Sequence, residues 1–406
     1  MYYGWWIVVG VFLVLTVSSG FGFYNLSLYL NVLSAERAYS VAEVSVAVSL
    51  FFVVGGVTGI VVARLIERFD VRWVMIWGGL LGGAALGASA WARSLAEIYV
   101  CLTLFGVGNS AVSVVTATAL ITRWFPGANR SVALSVASTG YSAGGALITP
   151  LCASVLHRWG WEAAIPWFGL AFFVLVLPIA LGVLRAHPPQ VAASTSPNRP
   201  GPPVWGYRNA VTSRFFVLVT AAFVLCMGCQ VGGISHLYNR AELVGDFHTA
   251  ARAVQVLTVT SILGRFVGGW LLTRIPARPF LFACLAGQAL GLGLIALAQT
   301  PLEVLAGALV FGCTVGNLLM LHPLFLAEAF PGSVYPRVFA LSNAVSVLGV
   351  AVGPVLLGVL FDRFGYGAAY EVAVAGSVLA VAMVVAAGSI PLPNRHDPNH
   401  RSVAGV

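Results

Sequence analysis

The chain has 406 residues, of which 59% are hydrophobic and 8% charged. Soluble globular domains carry about 25% charged residues, so this composition excludes a soluble protein and indicates one that crosses a membrane repeatedly. All 21 basic residues are arginine and the formal net charge is +8. Because these arginines are scattered singly between apolar runs, we expect them to set orientation in the lipid bilayer, with no nucleic-acid partner.

Twelve apolar runs follow one another along the chain, each long enough to cross a bilayer as a helix. Backbone polar groups in hydrocarbon must be satisfied within their own segment, so we predict an all-α integral membrane protein. The predicted spans cover residues 5–31, 41–63, 73–92, 97–121, 132–156, 163–184, 215–238, 253–273, 279–299, 303–328, 338–361 and 367–390.

The segment between spans six and seven differs from the other connections. Residues 186–203 hold six prolines and show no apolar period, a composition typical of a flexible linker. We therefore predict an N-terminal six-helix half over 1–185, a cytoplasmic linker over 186–213, and a C-terminal six-helix half over 214–406 that ends in a short cytoplasmic tail.

Short motifs of the first half return in the second half about 205 residues later. Phe-Pro-Gly at 125–127 recurs at 330–332, and Arg-Trp-Gly-Trp at 158–161 recurs as Arg-Phe-Gly-Tyr at 363–366. Leu-Phe-Gly and Gly-Asn of span four also recur in span ten, in the same order. This pattern predicts a duplicated six-helix unit, and transporters built from such parallel repeats bind substrate between them at the midplane.

The arginines outside the spans divide unequally between the two sides of the membrane. With both termini on one side, that side holds fourteen arginines and the other holds six. Cytoplasmic loops carry the excess of basic residues. We therefore expect a multi-pass protein of the cell (plasma or inner) membrane, a monomer with both termini in the cytoplasm.

The loop between spans two and three carries a recognisable motif. Residues 59–72 read GIVVARLIERFDVR, which resembles the G-x-x-x-D-R-x-G-R-R gating loop of the major facilitator superfamily, with Asp70 standing at the position of a glycine. The resemblance extends over essentially the whole chain and implies twelve helices in two pseudo-symmetric halves. It implies alternating access with gating residues Arg64, Glu67, Arg68, Arg72 and Glu328; the alternative for the arginines is positive-inside charge alone.

Arg265 lies near the middle of span eight, in the sequence SILGRFVGGW at 261–270. An arginine at that depth costs at least about 2.5–3.5 kcal/mol on insertion scales, and its guanidinium stays charged. No carboxylate lies deep in any predicted span, so we predict that the anion satisfying Arg265 is the substrate. The alternative is a side chain that reaches to the cytoplasmic end of the span.

Two further stretches narrow the resemblance within the superfamily. The sequences at 123–145 and 353–366, with Tyr-Gly-Trp at 3–5, resemble the monocarboxylate transporters and oxalate:formate antiporters. Those transporters carry a substrate-binding arginine on span eight in a similar Gly-Arg-x-x-x-Gly context, so the resemblance implies this role for Arg265. It implies a small organic anion, above all a monocarboxylate, as the substrate.

The resemblance also bears on energy coupling. Proton-coupled members carry an aspartate one turn before that arginine, where this chain has Ser261. Coupling would therefore use His322 or His236, because histidine titrates near neutral pH, or the protein would exchange one anion for another. The alternative for His322 is a structural hydrogen bond to a neighbouring helix.

Several uncharged polar residues also interrupt the apolar runs. Such side chains either line a cavity or hydrogen-bond between helices, where a bond contributes about 0.6–2 kcal/mol. In the superfamily, spans one, four, seven and ten line the transport path. This favours a cavity-lining role above all for the polar residues on spans one, four and ten. The candidate substrate-binding residues are Tyr24, Asn25, Asn109, Tyr141, Gln230, Asn317 and Asn343, besides Arg265 and His322.

Other function classes find little support in the sequence. The absence of lysine excludes a Walker motif, and we find no metal-binding or cofactor-binding pattern and no HExxH or GxSxG motif. We therefore expect neither an enzyme nor a cofactor. A major facilitator exporter of amphipathic drugs stays open because 12% of the residues are aromatic, and so does a non-transporting membrane sensor or scaffold.

Overall fold

The computed structural model of this chain describes residues 3–37, 39–125, 129–185, 207–272, 274–330 and 334–388. Throughout these ranges the regular structure is helical, as predicted. In the first half, helix α1 continues through one π-helical segment into α2, and together they form span one. The elements are α1 Gly4–Ser18, the π-helix Ser19–Tyr24, α2 Asn25–Arg37, α3 Val41–Arg68, α4 Val71–Ala88, α5 Leu95–Ala111, α6 Val114–Trp124 and α7 Asn129–Gly182.

The second half begins with a short helix that falls within the predicted linker, whose residues 186–206 lie outside the described ranges. The predicted boundaries of the halves stay a prediction. The elements are α8 Tyr207–Val211, α9 Arg214–Val244, α10 Phe247–Leu271, α11 Ala277–Leu297, α12 Pro301–Ala329 and α13 Tyr335–Ala386.

Ten helices of the described ranges are long and apolar enough to cross a membrane. Two of them, over 47 and 49 residues, would extend about 70 Å, more than twice the hydrocarbon thickness. Each contains one glycine in the left-handed region, Gly160 at φ 71° and Gly365 at φ 81°, a conformation that favours glycine over residues with a β-carbon. The chain turns at these glycines, so α7 and α13 each supply two spans and the predicted twelve are confirmed.

The surface of the bundle is rich in large apolar side chains. Trp77 is 65% exposed, Leu151 68% and Phe364 68%, although a soluble protein rarely exposes contiguous apolar patches. Such a surface is suited to lipid, and it agrees with a multi-pass membrane protein.

One end of the bundle, here called the terminal side, carries the start of α1 and the ends of spans four and six. The Tyr3 hydroxyl donates to the carbonyl of Val183 over 2.9 Å, and Trp124 Nε1 donates to the carbonyl of Arg185 over 2.8 Å. These contacts place residues from three spans at one level, as an up-and-down order of helices requires.

The other end, here called the opposite side, carries the start of α3 and the turn in α7. Arg37, at the end of α2, pairs with Glu162 over 3.2 Å just after Gly160. In the second half, Arg240 donates to the carbonyls of Ala296, in the last turn of α11, and of Ala298, just beyond its end. Arg37 also donates to the carbonyls of Ala90 and Ala92 after the end of α4, so each half is tied at this side by an arginine that satisfies carbonyl groups at a helix end.

The halves meet mainly along two antiparallel helix pairs, and α2 also contacts α9, where Ser27 accepts from the backbone N–H of Tyr238 over 3.1 Å. In the first, α3 packs on α13, with Gly56 beside Val347 and Ser45 beside Gly358. In the second, α7 packs on α10, and the Ser142 and Ser261 hydroxyls lie 3.3 Å apart. The repeat offset of about 205 residues maps one pair onto the other, so the two interfaces are related by exchanging the halves, as parallel repeats around a membrane-normal axis require.

Candidate functional site

Arg265 sits at the edge of the face that α10 turns toward the protein. Ser261 and Gly264 on that face are buried, whereas Phe266 and Val267 are 60% and 59% exposed on the lipid-facing side. Arg265 itself is half-buried. Its helix therefore presents an apolar surface to lipid and directs its one mid-span cation to the junction of the halves.

The guanidinium reaches across that junction. Arg265 Nη1 donates to the backbone carbonyl of Ser138 on α7 over 2.8 Å. Within the described ranges this is its one hydrogen bond, and the ion pairs found there do not include it. A guanidinium has five N–H donors in a planar fork, so most of its donor capacity stays available to an anion.

A glycine on α12 makes room for this side chain. A β-carbon built at Gly316 would stand 2.8 Å from Arg265 Cδ and closer still to Cγ and Nε. The next residue, Asn317, donates from Nδ2 to the carbonyls of Gly264 and Cys313, both over 2.9 Å. Asn317 thus holds α12 against α10 at the level where the arginine leaves its helix.

The first half presents an aromatic cluster to Arg265. Tyr24 and Tyr141 lie within electrostatic range of its guanidinium, and their ring centroids lie 6.3 Å apart. Phe23 packs edge-on against Tyr141 at 5.2 Å and against Phe52 at 5.4 Å. The arrangement combines one cation from the second half with an apolar, aromatic wall from the first, which suits a small anion that carries an apolar body.

The π-helical segment Ser19–Tyr24 helps to build this wall. Its buried Ser19 donates to the carbonyl of Tyr141 over 2.6 Å, which ties span one to span five beside the cluster. Single π-helical turns occur often at functional sites. Sequence reasoning identified Tyr24 and Tyr141 but missed Phe23, Phe52 and Ser138, because an aromatic or serine residue in an apolar span carries no signal of its own.

Asn109 joins helices in the same half. Its Oδ1 accepts from the Ser18 hydroxyl over 2.8 Å, which links spans four and one. Asn25 is fully buried, and its Nδ2 lies 3.5 Å from the Tyr29 hydroxyl. These bonds connect neighbouring turns and helices, and a role in substrate binding stays a prediction for both residues.

In the second half, the polar candidates fall into two groups. Gln230 is buried, and its Nε2 donates to the carbonyl of Val315 over 3.4 Å, so it joins α9 to α12 as Asn317 joins α10 to α12. Asn343 is exposed on α13. Their proposed contact with substrate likewise stays a prediction.

His322 and His236 occupy different kinds of position. His322 Nε2 lies 2.8 Å from the Ser342 hydroxyl, and its ring stacks on Phe223 at 4.2 Å. All three residues belong to the second half. His236 also lies on that half but meets Ser45 of the first half, so only His236 of the two touches the junction directly.

At the loop between spans two and three, Asp70 occupies the position of a motif glycine. It caps α4 by accepting from the backbone N–H of Arg72 over 2.9 Å, and its carboxylate pairs with Arg72 Nη2 over 2.6 Å. Its φ of −61° needs no glycine. Arg64 and Arg68 are exposed at the end of α3, as is Glu328 at the end of α12, and the side chain of Glu67 lies outside the described part of the structure.

A family model of the Major Facilitator Superfamily matches residues 12–243 and 241–405. Monocarboxylate transporter 13 of Bos taurus is 26% identical over 383 residues, which cover 91% of this chain and 86% of that protein. The oxalate:formate antiporter of Oxalobacter formigenes is 26% identical over 397 residues, which cover 93% of this chain and 90% of the antiporter.

The fold is also similar to that of solved transporters. The crystal structure of the nucleoside transporter NupG superposes with a TM-score of 0.73 over 94% of this chain and 100% of that one, at 11% sequence identity. At that identity the similarity concerns the fold alone.

Proposed function

The chain belongs to the Major Facilitator Superfamily, and from that premise we propose that it is a secondary active transporter of a small organic anion, above all a monocarboxylate. Transport proceeds by alternating access around a site between the two halves. The observation that carries the proposal is the position of Arg265, a mid-span cation at the junction whose one hydrogen bond in the described structure goes to a backbone carbonyl of the other half.

The chemistry of a guanidinium favours a carboxylate as its partner. The two oxygens of a carboxylate match two parallel N–H donors of the fork, and such charge-assisted bonds are about twice as strong as neutral ones. The carbonyl of Ser138 is neutral, so a bound carboxylate competes well with it for Arg265. An anion that engages Arg265 therefore also changes a contact between the halves, which links binding to their relative movement.

The surroundings favour a monoanion with an apolar body. Arg265 is the one cation at this junction within the described ranges, and Tyr24, Tyr141 and Phe23 line its other side. A dicarboxylate would bring a second charge with no partner near these rings. Monocarboxylate transporter 13 is, by name, a transporter of monocarboxylates, whereas the oxalate:formate antiporter names one dicarboxylate and one monocarboxylate. The two names together support a carboxylate, and the preference for a monoanion rests on the single cation.

The membrane orientation and the mode of coupling belong to the proposal. The fourteen arginines that the sequence analysis assigns to the side of the termini support a cytoplasmic location for that side by the positive-inside rule. The motive force is either a co-transported proton or an exchanged anion.

Thermal stabilisation of the purified protein by a panel of anions tests the proposal. The panel contains formate, acetate, benzoate, oxalate and nitrate, together with a hydrophobic cation. A ligand that binds only the folded state adds about 2.7 kcal/mol to the free energy of unfolding when its concentration is a hundredfold above Kd. Arg265→Ala removes the proposed partner, and Arg252→Ala, an exposed arginine near the start of the same helix, is the matched control for loss of charge.

We expect a monocarboxylate to stabilise the wild type and Arg252→Ala but not Arg265→Ala. Stabilisation that survives Arg265→Ala would remove the arginine from the site. Stabilisation by the hydrophobic cation alone would favour the second candidate, an exporter of amphipathic compounds, which the aromatic cluster of Phe23, Tyr24, Phe52 and Tyr141 could also serve.

A further inference from the structure

His236 is buried where the two halves meet near the opposite side. It has no accessible surface. Its Nε2 lies 2.9 Å from the carbonyl oxygen of Pro354 on α13 and 3.4 Å from the hydroxyl of Ser45 on α3. Its Nδ1 lies 3.2 Å from the hydroxyl of Tyr366. The imidazole therefore has partners on both ring nitrogens, and one of them belongs to the other half.

The partners fix the hydrogen on one ring nitrogen and accommodate a neutral imidazole. A carbonyl oxygen only accepts, so Nε2 carries the hydrogen and donates it to Pro354. Ser45 already donates its own hydrogen to the carbonyl of Val41 over 2.6 Å, so it too can only accept from Nε2. The Tyr366 hydroxyl both donates and accepts, so it can donate to Nδ1 of a neutral ring and accept from Nδ1 of a protonated one.

A second side chain lies beside that hydroxyl. The Asn239 amide, one turn further along α9, acts as a donor toward the Tyr366 oxygen. Its Oδ1 is buried and has no hydrogen-bond partner within the described structure, an arrangement that is rare for a buried polar atom. If Nδ1 gains a proton and donates to the Tyr366 oxygen, a rotation of the Asn239 amide brings Oδ1 to the hydroxyl, which can then donate to it.

A carboxylate joins α13 to α3 close to His236. Asp362 of α13 accepts from the backbone N–H groups of Val41 and Ala42 over 3.2 and 2.9 Å. These are the first residues of α3, where the helix dipole favours an anion. Asp362 thus joins the halves at the opposite side, and the start of α3 stabilises its negative charge.

Apart from Asp362, the groups around His236 are neutral. Asp362 is the charged side chain that interacts with it electrostatically, and Tyr366 is the titratable group in contact with it. From α3 it meets Ser45, and α2 contacts the same helix α9 through Ser27, which accepts from the backbone N–H of Tyr238. A positive charge on His236 would therefore have one counter-charge, the carboxylate of Asp362. While the halves are closed, that carboxylate accepts from the backbone N–H groups of Val41 and Ala42.

We propose that His236 is a proton-binding site whose occupation favours separation of the halves at the opposite side. The inference rests on the alternating access proposed above. When α3 moves off α13, Asp362 loses its two amide donors and Ser45 no longer covers the imidazole. Water that enters from that side supplies the proton through Tyr366: its hydroxyl passes a hydrogen to Nδ1, takes one from water and turns toward Asn239, while the freed carboxylate balances the imidazolium. Acid therefore favours the open conformation and alkali the closed one.

His322 provides an internal comparison. Its described partners, Ser342 and Phe223, lie in its own half, so rocking of the halves leaves them together. A proton on His322 would not distinguish the two conformations through those contacts. The pair of histidines therefore offers a matched test within one chain.

Distances between spin labels on the opposite side test this inference. The labels are carried by Trp91→Cys in the first half and Leu302→Cys in the second, residues that are 69% and 76% exposed. Cys101, Cys229 and Cys313, the partly accessible native thiols, are replaced by serine. The full chain is measured in lipid nanodiscs from pH 5.5 to pH 8.5, in buffers that contain no carboxylate.

We expect the population with the longer distance to grow as the pH falls. The ratio of open to closed molecules should change by at most about tenfold per pH unit, the limit for one linked proton. His322→Gln should keep this response and His236→Gln should lose it. An acid response that persists in His236→Gln, or its absence in the wild type, would overturn the inference.

Asp362→Asn provides a second variant that keeps the histidine. It weakens the fastening to α3 and removes the counter-charge, so the open population should rise at alkaline pH while its dependence on pH flattens. An unchanged pH response in Asp362→Asn would also contradict the inference. These distances are measured without any carboxylate. If no anion stabilises the protein, the proposed substrate is rejected but the pH response of His236 is unaffected. If the pH response fails, the proposed substrate is likewise unaffected.

Discussion

The side chain of Arg265 lies across Gly316 of the facing helix, with its Cγ, Cδ and Nε atoms where a β-carbon at position 316 would have to be. This contact directs the guanidinium over α12 toward the carbonyl of Ser138 on the other half. A residue without a side chain therefore determines where the positive charge of the site is held.

Gly316→Ala should weaken anion binding while the protein stays folded. The β-carbon overlaps atoms of a flexible side chain, so Arg265 must move and its fork loses its alignment with the ligand. We expect a rise in Kd of about tenfold, which corresponds to about 1.4 kcal/mol, measured by the anion-dependent shift in Tm. Gly269→Ala is the control, since a β-carbon there meets nothing within 4 Å. Equal affinities in both variants would contradict the role of Gly316.

Arg265→Lys should impair transport although it preserves the charge. An ammonium is a point charge on a flexible stem and cannot form two parallel bonds to a carboxylate. A hydrogen bond to a charged group contributes about 1.5–3 kcal/mol, so we expect uptake into proteoliposomes to fall at least about tenfold. Uptake by Arg265→Ala should fall further. The amount of inserted protein is measured alongside, and normal uptake by both variants would reject the arginine as the substrate contact.

A reporter fused after Val406 tests the orientation. The fourteen arginines assigned to the terminal side predict that this end of the chain stays in the cytoplasm. A fluorescent reporter that folds only in the cytoplasm should therefore be bright at Val406. A second fusion, in which a periplasmic or extracellular reporter replaces the tail, should be inactive, and activity there would reverse the assignment of both sides.

Most of the fold follows from local features of the sequence. Apolar runs and the requirement for internal backbone bonding predict the helices, and the repeat at 158–161 and 363–366 marks the two turns. The structure adds that these turns depend on Gly160 and Gly365 in the left-handed region. Polar residues such as Arg158 and Asp362 mark the break between the spans in the sequence, but a hydropathy pattern does not identify the single residue at which the chain reverses.

The candidate site was only partly predictable. Arg265 stands out because a charge in an apolar run violates the pattern around it. Phe23 and Phe52 agree with that pattern, and Ser138 takes part through its backbone, so nothing in the residue types reveals them. Likewise, His322 and His236 look equivalent in sequence, and only the packing of α3 against α13 separates the histidine inside one half from the one at the junction.

Asp70 gives a prediction about stability that separates two of its interactions. Its carboxylate caps α4 through the backbone N–H of Arg72 and also pairs with the Arg72 side chain. A capping residue replaced by alanine costs about 1 kcal/mol, whereas a pair as accessible as this one, with side chains 39% and 26% exposed, contributes about 0–1 kcal/mol. Asparagine keeps the capping oxygen and removes the charge.

We therefore expect Asp70→Ala to lower the stability of the protein by about 1 kcal/mol and Asp70→Asn to lower it much less. Thermal unfolding of both variants in the same detergent measures the difference. An equal loss in both would assign the effect to the ion pair with Arg72. Because Asp70 stands where the superfamily motif has a glycine, the expected order would also show that this chain starts α4 with a side-chain cap in place of a glycine turn.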